Sequence, residues 1–340
     1  MSGVIDVYTT HIKIVLISPH YDKIVHLFVN KNMLELKRRY PHHNIITLTK
    51  ICQGRFVMIR LSAFADEADS TLSGQIEALR RNGVGYVELR GINGTGIAKI
   101  TEEDAREYKK QLDEGGIAVW SIGSPIGKIK ITDDLDAHME LLRHICRLAN
   151  VFDTDKVRMF SFYEAYNKEE LVFSTLKRMV AIADEYGVKL YHENEKEIYG
   201  DTAERVLRII ENVKGLGFIY DPANFIESGE HPSVTLDPLF SHMGYFHIKD
   251  AMWEGKAIVP AGHGDGEIPR LVSMIGDKDT VLSVEPHLMV FEGYSEFDST
   301  KMQNKYVFAS NGEAFDAAIT AIKSVITSCG YNEVNGGFRK

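Results

Sequence analysis

Short apolar runs alternate with longer amphipathic segments along most of this chain, from residue 58 to about residue 330. Short runs rich in Val, Ile, Leu, Phe and Tyr are typical of buried β-strands, whereas apolar positions that recur every three or four residues predict α-helices. Several of the amphipathic segments begin with Thr, Asp or Asn followed three residues later by Glu or Asp, as helix N-caps do, and several end at Gly. The pattern therefore predicts a regular succession of strands and helices.

Eight strands are predicted in this way. They are VMIRLSAF (57–64), YVELRGI (86–92), AVWSIGS (118–124), KVRMFSF (156–162), VKLYHE (188–193), LGFIYD (216–221), GYFHIK (244–249) and TVLSVE (280–285). Eight strand–helix units occupy about 250 residues in one domain, so we predict an α/β fold, a closed (β/α)8 TIM barrel. An open doubly wound sheet is the alternative, but LSAFADEADS after the first strand lacks the glycine fingerprint that such a sheet carries.

The first 57 residues do not follow this pattern. They contain eight Lys or Arg and three Asp or Glu, which leaves 31 basic and 45 acidic residues for the remaining chain. Three interpretations of this segment remain open: a basic arm, a disordered leader, or an extension upstream of a true initiator at Met58. We favour the last, because residues 58–340 already supply a complete barrel. The predicted organisation is an atypical N-terminal extension (1–57), the barrel (58–330) and a C-terminal tail (331–340).

A polar residue closes each of the last four predicted strands: Glu193, Asp221, His247 and Glu285. Strand alternation places all four on the inward side, and the carboxyl ends of parallel strands meet at one end of a barrel. Singly, each has an ordinary structural explanation, since Asp221 before Pro222 could start a turn and a lone His is usually a core residue. Together, three carboxylates and an imidazole predict a divalent-metal site.

Composition and charge narrow the class of partner. A formal net charge of -9 disfavours nucleic acid, because phosphate binding requires clustered Lys and Arg. The three cysteines, Cys52, Cys146 and Cys329, form no CxxC pair, which indicates neither a disulfide framework nor a thiolate zinc site. No apolar stretch approaches the ~20 residues of a membrane span. We therefore expect a cytoplasmic protein with a small-molecule partner; homo-oligomerisation is left open.

A set of motifs resembles the xylose isomerase-like barrels, a family of sugar and sugar-phosphate isomerases and epimerases, inosose dehydratases and the endonuclease four group. The resemblance spans about residues 58–325 and rests on FADEA, GYVELRG, HEN, YDPANF, FHIKD, AGHGDGEIP and VEPH, in that order. It implies that the metal ligands are Glu193, Asp221, His247 and Glu285. The family often has His three residues after the sixth-strand Asp, whereas this chain has Asn224, an amide that can still hydrogen-bond a sugar hydroxyl.

An oxygen-rich ligand set with one imidazole favours Mn²⁺, Mg²⁺ or Co²⁺, with Zn²⁺ as an alternative. The resemblance implies an isomerase or epimerase of carbohydrate metabolism that acts on a ketose or keto-sugar through an enediolate, with Glu193 and Glu285 as the acid/base pair. A lyase or dehydratase acting on an inosose or keto-glycoside is the alternative use of the same site. Asn224, Lys249 and His263 are predicted substrate contacts.

Two other classes are less compatible with the sequence. Endonuclease chemistry in this fold needs several zinc ions and more His ligands, and the first four strand ends offer none. A noncatalytic sugar-binding barrel would not need the four strand-end residues. Glu88 and Arg90, towards the end of the second predicted strand, and Trp120 in the third are predicted to shape the pocket wall.

Overall fold

The computed structural model describes residues 58–292, 304–334 and 336–340, and the predicted extension 1–57 lies outside these ranges. Eight of its strands correspond to the eight predicted runs. They are β1 (Ile59–Ala63), β2 (Tyr86–Leu89), β5 (Ala118–Ile122), β6 (Lys156–Met159), β7 (Lys189–Glu193), β8 (Gly217–Tyr220), β9 (Tyr245–Ile248) and β12 (Thr280–Val284).

These eight strands form a closed parallel barrel. Each pairs in parallel with the next one in the order β1, β2, β5, β6, β7, β8, β9, β12, and β12 pairs in parallel with β1, where Leu61 lies opposite Leu282. Closure leaves no free edge among these strands. The predicted TIM barrel is therefore confirmed.

Helices connect successive barrel strands and cover the outside of the barrel. In the described part of the chain the α-helices are α1 (Leu72–Arg81), α2 (Glu102–Gly115), α3 (Leu135–Val151), α4 (Glu169–Glu185), α5 (Ala203–Asn212), α6 (Pro222–Glu227), α7 (Pro232–Phe240), α8 (Ile268–Ile275) and α9 (Asn311–Ser328). The predicted cap is present at Thr101, whose side chain accepts the backbone N–H of Asp104. Thr71 and Thr202 also accept the backbone N–H three residues on, although no acidic residue stands at that position. None of the helices in the described ranges is both long and apolar enough to cross a bilayer.

Three small strand pairs lie outside the barrel ring. Antiparallel pairs join β3 (Gly91–Ile92) to β4 (Thr95–Gly96) and β10 (Asp250–Ala251) to β11 (Ile258–Val259). The segment predicted as a C-terminal tail contains a hairpin of β13 (Asn332–Val334) and β14 (Gly337–Arg339). Its Phe338 is buried and pairs with Ile59 at the start of β1, so the hairpin packs against the amino-terminal end of that strand.

Aromatic side chains fill the barrel interior below the strand ends. The ring of Tyr245 makes edge contacts with Tyr191 at 5.3 Å and with Trp120 at 5.8 Å between centroids. Gly217 and Gly244 flank the Tyr191 ring, and a Cβ at either position would lie within 2.4 Å of it. This packed floor leaves the carboxyl ends of the strands as the place where polar side chains can gather.

Candidate metal centre

The four predicted strand-end residues converge at one point of the barrel. Glu193 is the last residue of β7, His247 lies in β9, and Asp221 and Glu285 directly follow β8 and β12. One potential ligand atom from each of the four lies within 4.8 Å of the others. All four side chains are buried, with at most 4% of the residue surface exposed. The arrangement brings three carboxylates and an imidazole to one centre at the expected end of the barrel.

The chemistry of these donors fits a divalent cation. Within the described residues, Glu193 Oε2 and Asp221 Oδ2 are buried oxygens without a hydrogen bond. Their nearest cationic atoms, Arg158 Nη1 and Lys249 Nζ, both lie at 3.3 Å. A buried carboxylate oxygen in this state is costly unless a cation compensates its charge.

The charge of the surrounding buried network leads to the same conclusion. It contains six carboxylates and three permanent cations, so it carries three excess negative charges when its histidines are neutral. Its members are Asp66, Glu67, Glu88, Arg90, Arg158, Glu193, Asp221, His247, Lys249, Glu285 and His287. A divalent ion would remove most of that excess in a medium where uncompensated charge is expensive.

Asp221 has two roles, one for each carboxylate oxygen. Its Oδ1 accepts the backbone N–H of Asn224 at 3.0 Å and thereby caps α6, as the Asp-Pro turn signal suggested. Asn194 bonds to both sides of the Asp221 backbone at 2.9 Å and holds the residue in place. Burial raises the pKa of Asp221 to about 7, with Glu193 adding to the rise and Lys249 opposing it.

His247 lies between two carboxylates. Its Nδ1 is 2.8 Å from Glu193 Oε1, and its Nε2 is 3.2 Å from Glu88 Oε2. Burial lowers the pKa of His247, but attraction to Glu193 and Glu88 outweighs burial and raises it to about 10. Because a metal ligand must offer a lone pair, metal binding at this imidazole would release a proton.

Glu285 is held from two sides by cations. Arg90 Nη1 donates to its Oε1 at 2.9 Å, and Lys249 Nζ donates to its Oε2 at 3.1 Å. Burial raises the pKa of this carboxyl group, but Lys249, His287 and Arg90 outweigh burial and hold the pKa well below its usual range. Glu285 is therefore a carboxylate at neutral pH.

Arg90 is the centre of a buried ion-pair cluster. Besides Glu285, its guanidinium donates to both Asp66 oxygens at 2.9 and 3.1 Å and to Glu67 at 2.9 Å. Its Cζ also lies 4.6 Å from the ring centroid of Phe64 and 4.7 Å from that of Phe291. Arg90 directly follows β2, and its hydrogen bonds hold Glu285, Asp66 and Glu67 rather than forming an exposed pocket wall.

Glu193 lies beside a buried arginine, Arg158, that was not among the residues predicted from the sequence. Arg158 in β6 is buried, places Nη1 3.3 Å from Glu193 Oε2, and donates to the carbonyl of Gly123. Arg158 lies opposite Tyr191 in the register of β6 and β7, and Tyr191 faces inward. A charged residue at an inward position of the apolar run KVRMFSF was the signal that could have identified it.

Two of the three predicted substrate contacts lie beside the four strand-end residues. Lys249 contacts Asp221 and Glu285, and Asn224 Nδ2 donates to Glu193 Oε1 at 3.3 Å while Asn224 Oδ1 is buried without a hydrogen bond among the described residues. His263 is exposed, and its Nδ1 lies 2.9 Å from the hydroxyl of Tyr306.

The glycine-rich loop around His263 is fastened to Asp250. The Asp250 carboxylate accepts the backbone N–H groups of Gly262, Gly264 and Gly266 at 2.8 to 3.0 Å. A Cβ at Gly264 or Gly266 would lie 2.4 or 2.6 Å from Asp250 Oδ1, so these positions require glycine for close approach of the loop to the carboxylate.

Comparison with known proteins agrees with this architecture. A family sequence model described as "Xylose isomerase-like TIM barrel" matches residues 76–295. No curated protein shows significant similarity to the chain.

Solved structures resemble the chain in fold. The probable 3-DHS dehydratase AsbF from Bacillus anthracis, involved in petrobactin synthesis, has 14% identity and a TM-score of 0.60, covering 78% of this chain and 98% of that one. A xylose isomerase-like TIM barrel protein from Mycobacterium smegmatis in complex with magnesium has 15% identity and a TM-score of 0.57, covering 80% and 97%. D-allulose 3-epimerase from Methylomonas sp. in complex with D-allulose has 15% identity and a TM-score of 0.61, covering 79% and 97%.

Proposed function

This chain belongs to the xylose isomerase-like TIM barrel family, and from that premise we propose that it is a divalent-metal-dependent isomerase or epimerase of a ketose or keto-sugar. The observation that carries the proposal is the convergence of Glu193, Asp221, His247 and Glu285 within 4.8 Å of one another at the carboxyl end of the barrel. Active sites of TIM barrels form at this end, from residues on several different strands.

The metal ligands in this proposal are the same four residues. An oxygen-rich donor set favours Mn²⁺, Mg²⁺ or Co²⁺ over softer ions, with Zn²⁺ as an alternative. The magnesium complex of the structurally similar Mycobacterium smegmatis protein is compatible with that choice. When bound, such an ion supplies a Lewis acid that polarises a substrate carbonyl.

Glu193 and Glu285 are the proposed acid/base pair. One carboxylate removes the proton from the carbon beside the carbonyl, and the electrons of that C–H bond pass into an enediolate. The other group enters this step as the carboxylic acid and returns its proton to the opposite face of the same carbon, which gives epimerisation, so the two groups end with exchanged protonation states. Return of the proton to the neighbouring carbon, with transfer of a proton between the two enediolate oxygens, gives isomerisation. Separate partners support two separate roles, because Arg158 lies against Glu193 whereas Arg90 and Lys249 bind Glu285.

The proposed substrate contacts are Lys249 and Asn224, with His263 at the exposed loop. Lys249 Nζ and Asn224 Oδ1, which accepts no hydrogen bond from the described residues, offer a donor and an acceptor beside the acid/base pair, as a sugar hydroxyl requires. The D-allulose in the complex of the structurally similar epimerase is a carbohydrate of this class.

A lyase or dehydratase acting on an inosose or keto-glycoside is the second candidate. It would begin with the same proton removal, but the enediolate would then expel a β-oxygen as water or an alcohol. Lys249 favours this alternative, since an ammonium group 3.1 Å from Glu285 could donate a proton to the departing oxygen. The structural similarity to a probable dehydratase is compatible with it.

Two measurements test the proposal together. The first is the content of divalent metal in the purified protein before and after dialysis against a chelator. The second is incubation of Mn²⁺-loaded protein with a panel of ketoses, inososes and keto-glycosides in D₂O, followed by NMR. Deuterium entering beside the carbonyl of a recovered or epimerised sugar supports the isomerase or epimerase, whereas loss of a β-substituent supports the lyase.

Matched variants connect these results to the site. We expect Glu193→Gln and Glu285→Gln each to reduce exchange by at least 10²-fold, because one proton-transfer group is lost. Glu140→Gln changes a side chain that is 75% exposed and should behave as the wild type. If metal-loaded protein introduces deuterium into no carbonyl sugar of a broad panel, the proposed proton-transfer chemistry is refuted.

A further inference from the structure

Glu88 is a buried carboxylate in the barrel interior whose contacts are directed at one of the proposed ligands. It lies in β2, only 1% of its surface is exposed, and its Oε2 is 3.2 Å from His247 Nε2. Its Oε1 accepts the hydroxyl of Tyr245 at 2.9 Å. TIM-barrel interiors are usually filled by branched apolar residues, and burying a carboxylate is costly. A function is therefore needed to account for an acid at this position.

The two nitrogens of the His247 ring face different surroundings. Nδ1 is 2.8 Å from Glu193, which belongs to the set of four converging residues, whereas Nε2 faces Glu88, which does not. The rings of Phe64 and Tyr245 contact the imidazole at centroid distances of 5.2 and 5.7 Å. These contacts restrict the ring, so Nδ1 is the nitrogen that faces the cation site.

We propose that Glu88 is a positioning residue that accepts the Nε2–H of His247 and thereby presents the Nδ1 lone pair to the divalent ion. A neutral imidazole carries its proton on one nitrogen only, and a hydrogen bond to that proton selects the tautomer. A carboxylate partner also increases the basicity of the ligating nitrogen and prevents the ring from turning. The inference rests on the proposed function only in requiring that the four residues bind a divalent ion.

The variant Glu88→Gln provides the sharpest test. It keeps the length and nearly the volume of the side chain but replaces the carboxylate with an amide. Glu88→Ala removes the acceptor altogether. Tyr245→Phe is the matched control, because it removes the hydrogen bond from Tyr245 to Glu88 and leaves the Glu88–His247 contact in place.

Mn²⁺ affinity is the primary measurement, obtained by titration with detection of free Mn²⁺ by electron paramagnetic resonance. We expect the Kd to rise roughly 10-fold in Glu88→Gln and roughly 100-fold in Glu88→Ala, the range found when outer partners of metal-ligating histidines are removed. Tyr245→Phe should bind Mn²⁺ as the wild type does. Circular dichroism of each variant establishes that it is folded, and Glu88→Gln keeps the test valid if the alanine variant does not fold.

A spectroscopic measurement separates positioning from a general structural role. In protein labelled with ¹⁵N-histidine and loaded with Zn²⁺, His247 should show a protonated, hydrogen-bonded Nε2, and this signal should shift in Glu88→Gln but not in Tyr245→Phe. If Glu88→Gln changes neither the Mn²⁺ affinity nor the His247 spectrum, the inference about Glu88 is overturned while the proposed function stands. Wild-type protein that binds neither ion would overturn the proposed function, and this inference with it.

Discussion

Replacing Arg90 with methionine is expected to destabilise the barrel strongly, because Arg90 is a buried cation that contacts three buried acids. In the wild type the guanidinium makes hydrogen bonds to Asp66, Glu67 and Glu285, at 2.9 to 3.1 Å. Methionine can still fill the space between the rings of Phe64 and Phe291, so the main effect is electrostatic rather than a cavity.

The size of the stability loss in Arg90→Met depends on how Asp66, Glu67 and Glu285 are left once their shared cation is removed. All three are buried, and removing one partner of a buried ion pair typically costs about 3–5 kcal/mol because the remaining charge is uncompensated. The three acids can relieve part of the penalty by taking up protons. The loss of stability in Arg90→Met should therefore be largest near neutral pH and should decrease as the pH falls.

Equilibrium unfolding in urea at several pH values measures this effect. Arg106→Met is the control, because Arg106 is 64% exposed and its ion pair with Glu102 spans one turn of α2 at 3.3 Å. We expect the control to change the free energy of unfolding by no more than about 0.5 kcal/mol. A change below about 1 kcal/mol for Arg90→Met at pH 7, or one that grows on acidification, would refute the reasoning about buried charge.

Two further predictions concern regions outside the four converging residues. Gly264→Ala should cost roughly 1–3 kcal/mol and increase proteolysis of the loop, since its Cβ would lie 2.4 Å from Asp250 Oδ1, whereas a Cβ at Gly85 would meet nothing within 4 Å. Equal urea midpoints for Gly264→Ala and Gly85→Ala would contradict this. Burial lowers the pKa of His138, whose Nε2 accepts the N–H of Gly127 at 2.8 Å. His138 is therefore protonated more readily in the unfolded state than in the folded state, so the free energy of unfolding should fall as the pH drops below about 6.5. His138→Gln should reduce that slope between pH 7 and 5, and an unchanged slope would show that this residue does not contribute to it.

Much of the fold could be predicted from the sequence, because its signals are local. Short apolar runs and period-3.6 patterns locate all eight barrel strands and most of the helices, and Thr101, followed three residues later by Asp104, caps its helix as predicted. Strand parity also placed Glu193 and His247 on the inward side correctly, since side-chain direction alternates regularly along a strand. For Asp221 the sequence offered two interpretations, a turn residue before Pro222 and a metal ligand. The structure is compatible with both, because one carboxylate oxygen caps a helix while the other faces the candidate metal centre.

Only the tertiary structure decided which charged groups meet. Arg90 and Glu285 are 195 positions apart, and Glu88 and His247 are 159 apart, so no local pattern specifies either contact. Barrel closure brings these strands together, and burial in a medium of low polarity then makes each pairing necessary. The sequence by itself determined the strands, their inward faces and the four candidate ligands. The tertiary structure determined the partners that orient them: Arg158 and Lys249 contact ligands on neighbouring strands, whereas Arg90 and Glu88 reach Glu285 and His247 only because the eighth strand pairs with the first.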